Sequence, residues 1–173
     1  MKSGSVPSKP WIQSFAPVED ANATVLILGS MPGEASLRAG QYYAHPRNLF
    51  WHIMGKLLDT DPNSPYDRRI RALQSARIAL WDVLHSCVRK GSLDSSIDDE
   101  SLVPNDFAAF FLRHPKITHI FFNGSKAEEC FRKLALPFIG IESIEYLRLP
   151  STSPANASIP YERKLEAWRI VTR

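Results

Sequence analysis

Four short apolar runs, separated and followed by stretches of helical period, constrain this chain more than any other feature. The runs are Val25–Leu28, Ile78–Trp81, Ile117–Phe122 and Ile144–Leu149. Helical spacing is read over Leu49–Leu58, Tyr66–Ser75, Asn105–Arg113, Ser125–Leu134 and Tyr161–Val171. The first three runs lack polar alternation, as strands buried on both faces require. A βαβα order predicts an α/β fold: a three-layer α/β/α sandwich on a mainly parallel four-stranded sheet, with right-handed crossovers and helices on both faces.

At 173 residues and 44% hydrophobic, the chain can bury one core and shows no boundary between two. We read a single domain over residues 23–173 behind a partly ordered N-terminal arm, residues 1–22. No apolar run approaches the roughly 18 residues of a membrane span, and the opening MKSGSVPSKPW lacks the regions of a secretory signal. Cys87 and Cys130 stand far apart without a CxxC, and the five histidines show no zinc spacing, so metal centres and disulfide frameworks lack ligands. The expectation is a soluble cytoplasmic protein that uses no metal. Its 21 Lys and Arg against 18 Asp and Glu, net +3, permit a polyanionic partner without demanding one.

In a parallel sheet, ligands collect beyond the carboxyl ends of the strands. The residues there are Gly29, Ser30, Met31, Pro32 and Gly33; Asp82; Asn123 and Gly124; and Pro150 followed by Ser151, Thr152, Ser153, Pro154, Ala155 and Asn156. These four stretches should share one cleft. The connection from Gly29 to Trp51 is far longer than the usual about 4–6 residues and carries Tyr42, Tyr43, His45 and Asn48. Taken singly, each position has an ordinary structural role. Gly29–Gly33 matches no nucleotide-phosphate loop and reads as a tight turn. Asn48 reads as a helix N-cap, and Asp82 and Asn123 as caps where strands end. His45 beside Pro46 reads as a structural hydrogen-bonding residue, and the tyrosines as half-buried aromatics.

Six stretches taken together say more: GSMPG at Gly29, QYYAHPRNLFW at Gln41, LWDV at Leu80, GSLD at Gly91, FFNG at Phe121 and LPSTSPAN at Leu149. In order and spacing they resemble the uracil-DNA glycosylase superfamily, and within it the hypoxanthine-DNA (DNA-deoxyinosine) glycosylases, over roughly residues 25–170. The resemblance implies hydrolysis of the N-glycosidic bond of a deaminated base, most simply hypoxanthine, by base flipping and water attack. It further implies no metal or organic cofactor, and a monomer acting on double-stranded DNA. A uracil or thymine mismatch glycosylase, or a non-catalytic binder of DNA or nucleotides on the same fold, stays open.

Under that resemblance Tyr43 stacks on the flipped base, and backbone N–H groups around Ser30–Gly33, with His45 and Asn123, complete a base pocket. The mismatch-specific relatives carry Asn or Asp just before Pro-Gly to place the attacking water, whereas this chain carries Met31, whose thioether cannot do so. The pattern of the deoxyinosine family points to Asn48 for the water-positioning role, with Asp82 assisting electrostatically. Ser151–Asn156 becomes the loop that pinches the duplex and fills the gap left by the flipped base, where usual members carry a bulkier wedge, with Arg148, Lys126 and Arg47 as candidate phosphate contacts.

Overall fold

In the computed structural model, which describes residues 9–173, the chain runs through β1 (Trp11–Gln13), β2 (Val25–Gly29), α1 (Glu34–Ala39), α2 (Phe50–Leu57), α3 (Tyr66–Ser75), β3 (Ile78–Asp82), β4 (Leu84–Val88) and β5 (Val103–Pro104). It continues through α4 (Phe107–Arg113), β6 (His119–Asn123), α5 (Ser125–Leu134), α6 (Leu136–Ile139), β7 (Glu145–Leu149) and α7 (Tyr161–Trp168). A four-stranded, fully parallel sheet has the order β3-β2-β6-β7. The chain leaves β2 for β3 on one side and later returns to β6 on the other. The crevice beyond Gly29 and Asn123 is therefore a topological switch point.

Side chains alternate across this sheet and define two cores. Leu26, Leu28, Ala79, Trp81, Ile120 and Phe122 pack against Phe107, Phe110 and Phe131 of α4 and α5. Ile27, Ile78, Leu80 and Phe121 pack against Phe50 and Met54 of α2, Leu73 of α3 and Trp168 of α7. Helices thus cover both faces, as the sequence pattern predicts. Burying such a side chain contributes about 1.5–3 kcal/mol, so a charge at Ile27 or Phe121 would separate the layers. The edge strand β7 is buried fully only at Leu149, because it has a neighbour on one side alone.

Three features depart from the sequence reading. A second sheet, β1-β4-β5, pairs antiparallel, with β4 continuing from β3 after the single residue Val83. Polar His85 and Ser86 break its apolar run, and its partner Trp11–Gln13 lies far away in sequence. Secondly, residues 9–22 take part in the domain: besides β1, Val18 exchanges both backbone hydrogen bonds with Leu80, at 2.8 and 2.9 Å. Residues 1–8 of the expected arm lie outside the described residues. Thirdly, the long connection after β2 contains α1, closed by Gly40 in the left-handed region (φ 63°) with its N–H on the Ser36 carbonyl. The helical segment expected from Asn105 begins after Asp106, whose carboxylate accepts from the Ala109 N–H at 3.0 Å.

Candidate active site

The four strand ends meet in one cleft of about 580 Å³, a volume suited to a small ligand. Every residue singled out above for catalysis, for the base pocket or for the DNA loop lines it. At its floor Gly29 pairs in register with Asp82. A Cβ on Gly29 would lie 2.5 Å from Asp82 Oδ1 and 2.9 Å from the Tyr43 hydroxyl, so only glycine lets these three groups converge. Asp82 is 3% exposed, and among the described residues neither its Oδ2 nor the Tyr43 hydroxyl has a hydrogen-bond partner. Burial, and then the Asp94 charge, push the Asp82 carboxyl up to about 7, against the pull of Arg89. Burial and Asp82 likewise hold the Tyr43 phenol far above its usual range, opposed by Asn123.

The Tyr43 ring stacks on Phe50 with centroids 4.1 Å apart and planes 24° apart, and the residue lines the cleft. Its φ of 55° is uncommon for a bulky side chain, a conformation costing about 1–3 kcal/mol that the surroundings must hold in place. Tyr42, by contrast, is a core residue: its hydroxyl donates to the Ala16 carbonyl at 2.9 Å, and its own carbonyl accepts from the Trp51 indole at 2.8 Å.

The Gly29–Gly33 turn separates its acceptors from its donors. The carbonyls of Gly29, Ser30 and Gly33 accept from the N–H groups of Val83, Leu84 and Leu37 at 2.8, 3.2 and 2.9 Å, and that of Pro32 accepts from the Arg89 guanidinium. Among the described residues no hydrogen bond engages the N–H groups of Ser30, Met31 or Gly33. The fold therefore consumes the acceptors and leaves donors beside the cleft. Met31 itself is 7% exposed and packs in the core.

On one wall, Asn48 Oδ1 accepts from the Phe50 N–H at 3.0 Å. The cap position of α2 is Leu49, so Asn48 bonds the helix from one residue further out. That bond fixes the plane of the carboxamide. One Oδ1 lone pair and, among the described residues, the Nδ2 hydrogens stay uncommitted. His45 supports the turn: its Nδ1 accepts from the Arg47 N–H at 3.1 Å, and its carbonyl from the Asn48 N–H at 2.9 Å.

The facing wall, residues 150–156, is tied down along its length. The Asn123 carboxamide makes two bonds to Thr152, both 2.9 Å, and the Thr152 carbonyl accepts from the Leu49 N–H at 3.0 Å. The Trp168 indole donates to the Pro150 carbonyl at 2.9 Å, and Lys164 Nζ to the Asn156 carbonyl at 2.7 Å. Gly124, at φ 94°, lets β6 turn beneath Ser151, whose Cβ a side chain there would meet at 3.0 Å. Asn123 thus lines the cleft while its polar group is committed to the wall.

Sequence reasoning did not single out the residues that brace these walls. Arg89, 2% exposed, donates to the carbonyls of Pro32 and Gly91. Asp94 accepts from Ser30 Oγ at 2.6 Å, and Ser92 Oγ from the Glu34 N–H at 2.9 Å. The GSLD stretch was the available signal for the last two. Nothing local marks Lys164 or Trp168, whose partners lie 8 and 18 residues away. Of the cations considered for phosphate contact, Arg148 lines the cleft with Glu128 at 3.5 Å, and Lys126 is held by Asp99 at 2.8 Å. Arg47 is exposed with no ion pair among the described residues.

The sequence profile of the uracil DNA glycosylase superfamily matches residues 16–172. This chain belongs to the uracil DNA glycosylase superfamily. Within it, the chain is 38% identical over 162 residues to a protein named hypoxanthine DNA glycosylase from Methanosarcina acetivorans, covering 93% of this chain and 98% of that relative. A protein of the same name from Methanosarcina barkeri is 42% identical over 118 residues, covering 68% of this chain and 73% of the other. The solution NMR structure of a candidate uracil DNA glycosylase from Methanosarcina acetivorans shares the fold with a TM-score of 0.78 at 38% identity, over 94% of this chain and 97% of that one. In this superfamily member the first motif presents backbone donors, Met31 packs in the core, and Asn48 lines the cleft with hydrogen-bonding capacity to spare.

Proposed function

We propose that this protein is a monofunctional DNA glycosylase that removes hypoxanthine from double-stranded DNA, working as a monomer in the cytoplasm on chromosomal DNA. The two relatives named hypoxanthine DNA glycosylase, 38% and 42% identical, support the substrate. The observation that carries the mechanism is the Asn48 carboxamide, held by the Phe50 N–H at the edge of the cleft with hydrogen-bonding capacity to spare.

The chemistry follows from these residues. Extruding the nucleotide costs a few kcal/mol and brings the base against the ring of Tyr43. The unengaged N–H groups of Ser30, Met31 and Gly33 meet its polar edge. As the bond from C1′ to N9 breaks, its electron pair leaves with the purine and an oxocarbenium-like centre forms at C1′. Asn48 Oδ1 accepts from a water with its remaining lone pair and turns the water's oxygen toward C1′, where the new bond forms. Neutral Asp82 delivers a proton to the departing purine, and the water's proton passes to solvent. No lysine lines the cleft among the described residues, so nothing there acts as the amine nucleophile a lyase would need.

Single-turnover cleavage of duplexes carrying deoxyinosine, deoxyuridine, deoxyxanthosine or a G·T pair tests this reading. Excision from the deoxyinosine duplex, undiminished by EDTA, is expected. Preference for the deoxyuridine or G·T duplex would reassign the substrate, and no excision from any at enzyme excess would leave a binding module. Asn48→Ala is expected to slow the single-turnover step by about 10²–10³-fold with DNA affinity retained, and to cost about 1 kcal/mol of stability. Asn48→Asp keeps the bond to the Phe50 N–H but removes the donor, so its rate or base preference should change with its melting temperature unmoved. A normal rate in the Ala protein would remove Asn48 from the mechanism.

A further inference from the structure

Extruding a nucleotide leaves a gap in the base stack, and an apolar side chain inserted between base steps is the usual way to hold a duplex so distorted. The 151–156 wall offers no such side chain. Thr152 is fully buried, the Asn156 amide donates to the Ser151 carbonyl at 3.2 Å and is polar, and the rest are serines, Pro154 and Ala155. Of the large hydrophobic side chains exposed among the described residues, Leu93 alone lines the cleft, and it is 53% exposed.

Its setting is rigid. Leu93 has extended backbone, φ −79° and ψ 135°, so its side chain points away from those of its two neighbours. Both neighbours are anchored inward, Ser92 on the Glu34 N–H at 2.9 Å and Asp94 on the Ser30 hydroxyl at 2.6 Å. Arg89 Nε holds the Gly91 carbonyl at 2.8 Å, and the Leu93 carbonyl accepts from the Ser96 N–H at 3.0 Å. An isolated exposed leucine is ordinary. A leucine presented by a braced lip, in the same cleft as a wall of small polar residues, has a use. We propose that Leu93 is the wedge that enters the duplex at the vacated position, so that the 91–94 lip fills the stack while the 151–156 wall holds the backbone. This rests on the glycosylase reading and adds a specific residue to it.

The test compares wild type, Leu93→Ala and Leu93→Met in single-turnover excision of deoxyinosine from a fully paired duplex and from a bubble of unpaired bases. A wedge is needed only where stacking must be broken. Leu93→Ala is therefore expected to lose about tenfold or more on the duplex and to stay close to wild type on the bubble, with Leu93→Met restoring the duplex rate. Fluorescence of 2-aminopurine placed beside the deoxyinosine should rise on binding wild type and rise less with Leu93→Ala. An unchanged duplex rate in Leu93→Ala, or equal losses on both DNAs, overturns the wedge while leaving the glycosylase standing. Failure of wild type to excise from either DNA overturns both. The side chain is exposed, so unchanged melting temperatures show that the variants fold.

Discussion

Along the 150–156 wall, Asn123 and Thr152 satisfy each other, Trp168 reaches the Pro150 carbonyl and a fully buried lysine reaches that of Asn156. On the cleft floor, Asp82 Oδ2 and the Tyr43 hydroxyl are buried with no hydrogen-bond partner among the described residues. Each unsatisfied group costs about 1–3 kcal/mol, so the floor opposes folding where the wall supports it. Polar groups shape the protein in one region and are left without partners among the described residues in the other. Substitutions in the wall should therefore act mainly through stability, and substitutions in the floor mainly through chemistry.

The largest effect is expected from the wall. Asn123→Ala leaves the Thr152 N–H and hydroxyl buried without partners and should lower unfolding free energy by about 2–4 kcal/mol, with slower excision as the wall loosens. Denaturant unfolding measures the first and single-turnover kinetics the second. Full stability in this protein would erase the contrast between the two regions.

Asp82→Asn should separate stability from chemistry. The Asp82 carboxyl is raised to about 7 in the folded protein, so the native state holds its proton more tightly than the unfolded chain. That contribution to stability is complete below the ordinary carboxylate range and is lost as pH rises through about 7. Asparagine cannot ionise, so the variant should melt higher than wild type at pH 8, by a margin that narrows toward pH 4. Its excision should be slower, without the decline above neutrality expected of wild type as Asp82 loses its proton. A variant that melts lower than wild type at pH 8 would place Asp82 among the scaffold residues.

The smallest effect is expected from Tyr43→Phe. It removes an unpartnered buried hydroxyl and keeps the ring stacked on Phe50, so the melting temperature should rise modestly while the excision rate stays near wild type. Tyr43→Ala, which loses the aromatic face, should excise poorly. A Phe variant as slow as the Ala variant would make the phenol, beside Asp82 and Gly29, the working group.

Sequence alone determined the parallel sheet and the helices α2, α3, α4, α5 and α7, because continuous apolar runs such as Val25–Leu28 and periodic stretches such as Ser125–Leu134 carry their burial pattern locally. It also determined which residues share the cleft, since parallel strands deliver their carboxyl ends to one edge. Tertiary structure alone decided what those residues have left to offer. Asn123 and Asn48 are the same residue type at neighbouring strand-end loops, yet the first is spent on Thr152, 29 residues away, and the second retains free hydrogen-bonding capacity. The raised Asp82 carboxyl likewise depends on the burial that the closed sandwich imposes and on Asp94, against the pull of Arg89. The β1-β4-β5 sheet, Lys164 beneath Asn156 and the brace under Leu93 escape sequence reading for the same reason: their partners are distant in the chain. Local pattern fixes where a backbone goes, but hydrogen-bond satisfaction and desolvation belong to the assembled fold.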